Sequence, residues 1–409
     1  MRRKKRNAVI LIVCALALAA LGVLGFFVLS MEKHDRFSPQ KFPPQKQESR
    51  AAVPASSHLE ATANQVIEIE LEEEEEEINY LETNGIFELP VSGSSGYASV
   101  PVGLYGETGE NGEILAVLAP GDGFRICREA GNWWLVEADG MQGWVMHRYC
   151  MVNLPDLLPS IVYRVDNAKA SLLRSSGKTI PGLTGEVLYQ AYGWNPRLER
   201  EEFIVPVLYE MAKKIGKAQQ SAAEDGNTLI IYEAFRPYEV QRRIAASLEA
   251  LMAADAEVLE GVNRGPWSEG WFVATRISNH QRGYAIDVSL GAVTGREESR
   301  SGSYVYSRIT DAAEYEMPSP MHELSAAAVC FENPISTGDR EAWKTAAPAQ
   351  TMTPAASLLQ RYCTEAGMSP LASEWWHFND LDCRDALGEQ AGTGQFFIDA
   401  VYSVPPEDF

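Results

Sequence analysis

The sequence predicts an α+β domain at the C-terminal end, preceded by a small all-β barrel, a disordered acidic linker and one N-terminal transmembrane helix. Three observations carry this expectation. An uncharged apolar run follows a basic cluster at the N-terminus, short β-like segments punctuated by glycine turns fill residues 94–153, and mixed helix and strand periodicities run from 156 to 409. At 409 residues the chain exceeds one typical domain, and 45% hydrophobic with 22% charged residues is the composition of a globular protein. Lys+Arg 35 against Asp+Glu 56 leaves a net charge of −21, which argues against nucleic acid as a partner.

Residues 1–7 hold the cluster Arg2, Arg3, Lys4, Lys5 and Arg6, and the next 22 residues, 8–29, carry no charge. As a helix they would reach roughly 33 Å, enough to cross a hydrocarbon core. The span is assigned to 8–30 with the basic end in the cytoplasm, which places the rest of the chain outside the cell as a single-pass membrane protein. A cleaved signal peptide is the rival reading, with Val28 and Ser30 as small residues near a cleavage site; the length of the apolar run favours an uncleaved anchor. Residues 31–93 contain Pro39, Pro43, Pro44 and Pro54 and the carboxylates Glu68, Glu70 and Glu72 to Glu77, a composition expected of a flexible, charge-extended linker. The glutamate run lacks the glycine turn and spaced ligands of a calcium loop.

From 94 to 153 the segments Ser99–Tyr105, Ile114–Leu118, Gly123–Cys127, Trp133–Glu137 and Gly143–Met146 read as strands, separated by Asn111-Gly112, Pro120-Gly121, Gly131-Asn132 and Asp139-Gly140. The pieces Gly131 to Val136 and Gly140 to Val145 resemble the closing strands of bacterial SH3-like domains. That resemblance implies binding to cell-wall peptide or glycan, while Trp134 and Trp144 are expected to fill the barrel core. Farther on, Glu201 to Ala223 follows a helix pattern, Thr228 to Ala234 a buried strand, Tyr238 to Ala254 a second helix and Tyr284 to Leu290 a strand. Thr353-Pro354 opens a helix that Gly367 closes, and residues 255–275 and 291–350 are expected to be loops and short elements. Outside the apolar span the cysteines are Cys127, Cys150, Cys330, Cys363 and Cys383, an odd number without CxxC spacing. They do not read as metal ligands; a Cys363–Cys383 or Cys127–Cys150 disulfide and buried free thiols both remain open.

Two segments carry chemistry. In Ser278-Asn279-His280-Gln281-Arg282-Gly283-Tyr284-Ala285-Ile286-Asp287, an imidazole precedes a strand on which Asp287 lies between the small residues Ala285 and Ser289. Nitrogen and oxygen donors so placed suit a Zn²⁺ site with one open position. In Glu374-Trp375-Trp376-His377 a carboxylate and an imidazole are three apart; they face opposite sides of a regular strand and the same side of a helical turn, and the sequence does not choose. Either histidine alone reads as structural.

Together, S-x-H-x-x-G-x-A-x-D and, 87 residues after Asp287, E-W-W-H resemble the zinc D-alanyl-D-alanine dipeptidase and carboxypeptidase superfamily. Glu233-Ala234-Phe235-Arg236-Pro237 and Met317-Pro318-Ser319-Pro320-Met321-His322-Glu323-Leu324 point to its dipeptidase branch, over residues 156–409. The resemblance implies zinc ligation by His280, Asp287 and His377, general acid–base catalysis by Glu374 and oxyanion stabilisation by Arg236; the bland reading of Arg236 is a surface ion pair. Pro318-Ser319-Pro320-Met321-His322-Glu323 departs from the usual glycine, threonine, proline, phenylalanine and aspartate, so the pocket for the dipeptide's amino end is expected to differ, and His322 is not read as a ligand. The substrate implied is D-Ala-D-Ala. For an exported enzyme beside a wall-binding module, trimming of peptidoglycan stem peptides as a D,D- or L,D-carboxypeptidase is the alternative. A non-catalytic wall-binding protein is the alternative of another class.

Overall fold

The computed structural model describes residues 77–406, and these fall within one unit. The expected cytoplasmic segment, membrane span and most of the linker lie outside the described residues. Among the described residues, no helix is long and apolar enough to cross a membrane.

The first sheet is built from β1 (Ser95–Ala98), β2 (Val102–Tyr105), β3 (Ile114–Leu118), β4 (Gly123–Ala130), β5 (Trp133–Ala138), β6 (Met141–Met146) and β7 (Cys150–Asn153). Period-two patterning drives it: Phe124 and Ile126, then Trp134, Val136 and Ala138, then Gly143 and Val145 are buried, while their neighbours face outward. Asp139 and Gly140, with φ of 49° and 76°, make the two-residue turn between β5 and β6 that suits a right-handed twist. Trp134 fills the core as expected, but Trp144 does not. It lies half-buried on the opposite face with the Arg128 guanidinium over its ring at 5.3 Å, because only every second residue of β6 faces inward.

After β8 (Val162–Tyr163), which belongs to the second sheet, β9 (Pro206–Leu208) returns to the first, and its order becomes β9-β7-β1-β4-β5-β6-β2-β3. The expected helix over 201–223 is therefore a strand and then a helix. Arg200–Phe203 forms a hairpin with Tyr192–Asn195, Val207 pairs with Val152, and α1 starts only at Tyr209 and runs to Glu224. Pro206 lacks the N–H that a helix interior needs. Tyr209 then packs on Trp134 at 4.8 Å, so the β-rich segment and the mixed α/β region C-terminal to it share one core with no seam between them. Residues 77–93 are packed as well: Tyr80–Asn84 is a short helix, Phe87 and Val91 join this core, and Leu89 packs in a smaller cluster with Leu198, Tyr304 and Tyr306, so the linker expected to reach residue 93 gives way to packed chain.

The second sheet runs β13-β14-β11-β10-β8, where β10 is Asn227–Glu233, β11 Ala285–Ser301, β13 Ser369–Leu371 and β14 Glu374–Asn379. The strand read over 284–290 is longer than expected: β11 folds back through Ser301 to pair with β12 (Tyr304–Glu314), where loops were expected. Two helices match their sequence signals, and α1 keeps the C-terminal part of the helix expected over 201–223. In α1, Met211, Ala212, Ile215, Ala218 and Ala222 face the core; in α2 (Tyr238–Ala254), Val240, Ile244, Leu248 and Met252 do so at four-residue spacing; and α3 (Pro354–Glu365) is capped by Thr353, whose Oγ1 accepts the Ala356 N–H at 3.1 Å. The five cysteines among the described residues are free thiols, and Cys150, Cys330, Cys363 and Cys383 are buried.

Glu88 is buried where the N-terminal segment meets Ser160, whose N–H and hydroxyl both donate to its carboxylate. Burial nevertheless pushes its pKa from 4.5 up to about 7. A raised carboxyl favours folding below its unfolded pKa, and that contribution is lost as pH rises toward 7. A shift of this size corresponds to roughly 3 kcal/mol. Glu88→Gln is therefore expected to flatten the fall in urea-unfolding stability between about pH 4.5 and 7; an unchanged pH slope would contradict this.

Candidate metal centre

The site is a row across three adjacent strands. Glu233 on β10 pairs with Asp287 on β11, and Asp287 pairs with His377 on β14, so the three side chains share one face of the sheet. A register irregularity between Ile231 and Glu233 re-aims the end of β10 toward this row. His280 reaches it from a 3₁₀ turn, 280–282, that Gly283 closes with φ 77°. A side chain at Gly283 would meet Met151 and Leu208 of the first sheet within 3.3 Å, so the two sheets together fix where β11 begins.

His280, Asp287 and His377 can hold a metal ion. Their donor atoms form a nearly equilateral triangle: His280 Nε2 to His377 Nδ1 is 3.1 Å, His280 Nε2 to Asp287 Oδ1 is 3.3 Å and His377 Nδ1 to Asp287 Oδ1 is 3.0 Å. A tetrahedron with bonds of about 2.0–2.1 Å has edges of about 3.3–3.4 Å, close to this triangle. Both tautomers are set from behind. His280 Nδ1–H donates to the Ala234 carbonyl at 2.7 Å and His377 Nε2–H donates to Asn379 Oδ1 at 3.0 Å, leaving His280 Nε2 and His377 Nδ1 directed toward one point. Two ring nitrogens and a carboxylate oxygen thus converge in a buried space, an arrangement that could hold a metal ion.

Charges around the triangle are sharply biased. Burial alone would raise the Asp287 carboxyl, but the surrounding imidazoles outweigh it and hold it well below the usual range. Burial lowers His280, whereas for His377 burial is outweighed by its contact with Asp287, which raises it. Glu374 is pushed by burial up to about 7; its Oε2 lies 3.6 Å from His377 Nδ1, beside the triangle and outside it. Glu374 and His377 belong to one extended strand and yet face together. The pairing of β13 with β14 slips between Pro370 and Leu371, opposite the Glu374-to-Phe378 stretch, and this irregularity breaks the strict alternation of sides.

Arg236 is buried, so it is not the surface ion pair of the bland reading. Its Nε donates to Glu233 at 2.6 Å, Nη1 to Gln241 of α2 at 2.8 Å and Nη2 to Asp287 Oδ2 at 3.2 Å. Glu233, Asp287 and His322 form a second cluster with metal-ligand spacing, but here the Arg236 guanidinium already contacts both carboxylates and supplies the positive charge. Sequence reasoning gave no role to Glu233, Asp166, Asn379 or His322. The signal available for Glu233 was its place three residues before Arg236. The pairing of Asp166 with His322 joins residues 156 positions apart and left no local trace.

A cavity of about 270 Å³ opens on the triangle, lined by the polar residues Glu374, Arg236 and His322 and the apolar residues Trp271, Phe272, Ile277 and Leu371 among others. Ser278 lies at its wall, and its hydroxyl is buried without a hydrogen-bond partner. The chain matches no protein-family model, and no curated protein matches it.

Proposed function

We propose that the chain is a zinc metallopeptidase that hydrolyses D-Ala-D-Ala or a closely related D-amino-acid peptide. The observation that carries this is the donor triangle of His280, Asp287 and His377 with the elevated Glu374 carboxyl beside it. A bound Zn²⁺ supplies Lewis acidity, polarising a carbonyl and making water acidic enough to lose a proton near neutral pH. Glu374 takes the proton of the attacking water and returns it to the leaving amine, a role that suits a carboxyl with a pKa of about 7. Arg236, held by Glu233 and Gln241, presents its guanidinium to the cavity and stabilises the developing oxyanion. Trp271 and Phe272 line the same cavity and offer it apolar surface.

The cavity of about 270 Å³ is of a size to take a dipeptide. The proposal places this enzyme outside the cell in peptidoglycan metabolism, anchored through residues 8–30 and held near the wall by the SH3-like segment 94–153. The test is incubation of the zinc-loaded full-length chain with free D-Ala-D-Ala and, separately, with a stem pentapeptide ending in D-Ala-D-Ala, with products identified by mass. Zinc-dependent release of D-Ala from the dipeptide is expected. Cleavage of the pentapeptide alone would make the protein a carboxypeptidase, and cleavage of neither would favour a non-catalytic binding protein.

A further inference from the structure

Asp287 offers two oxygens, and the structure treats them differently. Oδ1 faces the donor triangle, whereas Oδ2 accepts hydrogen bonds from Arg236 Nη2 at 3.2 Å and from His322 Nε2 at 3.1 Å. The other nitrogen of His322, Nδ1, donates to Asp166 Oδ2 at 3.0 Å, and that oxygen also accepts the Leu172 N–H at 2.7 Å. The imidazole is thus held between two carboxylate oxygens, one of Asp166 and one of Asp287. His322 is 1% exposed, and its ring stands edge-on to Trp376 at 5.9 Å.

The backbone of His322 shows that this placement is enforced. Its φ is 58°, in the left-handed region that non-glycine residues seldom occupy. The segment is held there by its neighbours: the His322 carbonyl accepts the Arg174 N–H at 3.1 Å, and the Glu323 carboxylate accepts the N–H groups of Ser176 and Gly177 and the Ser325 hydroxyl. Asp166 Oδ1 is buried without a partner, so this carboxylate is committed to the imidazole and the Leu172 N–H through one oxygen only.

We propose that His322 is a positioning residue for the metal centre: with Arg236 it clamps Oδ2 of Asp287 so that Oδ1 alone faces the cation, and Asp166 holds the imidazole in the orientation that does this. The inference rests on the zinc reading of the triangle. It gives the departure at His322 from the dipeptidase pattern a structural role outside the ligand set.

The experiment uses the full-length chain and measures Zn²⁺ affinity by chelator competition and the visible absorption of the Co²⁺-substituted protein. Three variants are compared: His322→Asn, which tolerates the left-handed backbone but withdraws from Asp287; His322→Gln, whose longer amide restores a donor; and Asp166→Asn, which leaves His322 in place. Melting of each metal-free variant reports whether it is folded. Removal of an outer partner of a ligand typically weakens metal binding about 10–100-fold. That loss, with an altered Co²⁺ spectrum, is expected for His322→Asn, with partial recovery in His322→Gln and a smaller loss in Asp166→Asn. Wild-type affinity and an unchanged Co²⁺ spectrum in a folded His322→Asn would overturn the positioning role while leaving the triangle intact. Failure of the unmutated chain to bind either ion would instead overturn the metal reading on which the proposal stands.

Discussion

Glu374→Ala is expected to retain one zinc per chain and to lose turnover by a factor of about 10²–10⁴, the contribution of a positioned acid–base group. The argument is geometric. The Glu374 carboxylate lies 3.6 Å from His377 Nδ1 and is not one of the three converging donors, so its removal leaves the ligand set whole. It is buried against the cavity wall, where burial raises its pKa to about 7, and among the described residues no other carboxylate lines the cavity apart from Asp287. Asp287 is spent on the triangle. Metal content by atomic spectroscopy, set beside kcat for the same preparation, separates the two functions; Glu374→Gln, of equal volume, controls for packing. Near-normal kcat with full metal would remove Glu374 from the chemistry.

The second large effect concerns the metal itself. His280→Ala is expected to abolish stable zinc binding, and with it activity, because it removes Nε2 from a three-donor site and leaves His377 and Asp287 to hold the ion alone. The lost Nδ1–H also frees the Ala234 carbonyl, a loss on the scale of one hydrogen bond, about 1 kcal/mol. The metal-free variant should therefore still unfold cooperatively. Dialysis against a weak chelator followed by metal analysis checks the first part, and thermal unfolding the second. Zinc retained at full stoichiometry would place the ion elsewhere.

Much of the candidate site was legible in the sequence because its residues lie in short stretches with local constraints. Gly283 marks the turn after His280, and the small residues beside Asp287 mark an uncrowded strand; both features appear in the structure at the expected positions. The helix over Tyr238–Ala254 was equally clear, since Val240, Ile244, Leu248 and Met252 repeat at four-residue spacing. What escaped depends on irregularity or on distance. The shared side of Glu374 and His377 comes from a slip in strand pairing, which no periodicity records. Glu233 enters the row through another such slip. The apolar residues Phe203, Val207, Leu208, Met211 and Ile215 satisfied a helical pattern, but pairing of β9 with β7 supplied a tertiary partner that local propensity does not contain. The long hairpin of β11 and β12 carries mostly polar residues on its outer part, such as Arg296, Glu297 and Glu298, and so lacked the apolar alternation that marks a strand.

The most direct test of the metal centre is a crystal of the zinc-loaded chain measured on both sides of the zinc absorption edge. The expected result is a single anomalous peak enclosed by His280 Nε2, His377 Nδ1 and Asp287 Oδ1 at about 2.0–2.2 Å from each, with Glu374 outside bonding distance. A zinc ion held by other residues, or no peak within the triangle at full zinc saturation, would contradict the assignment.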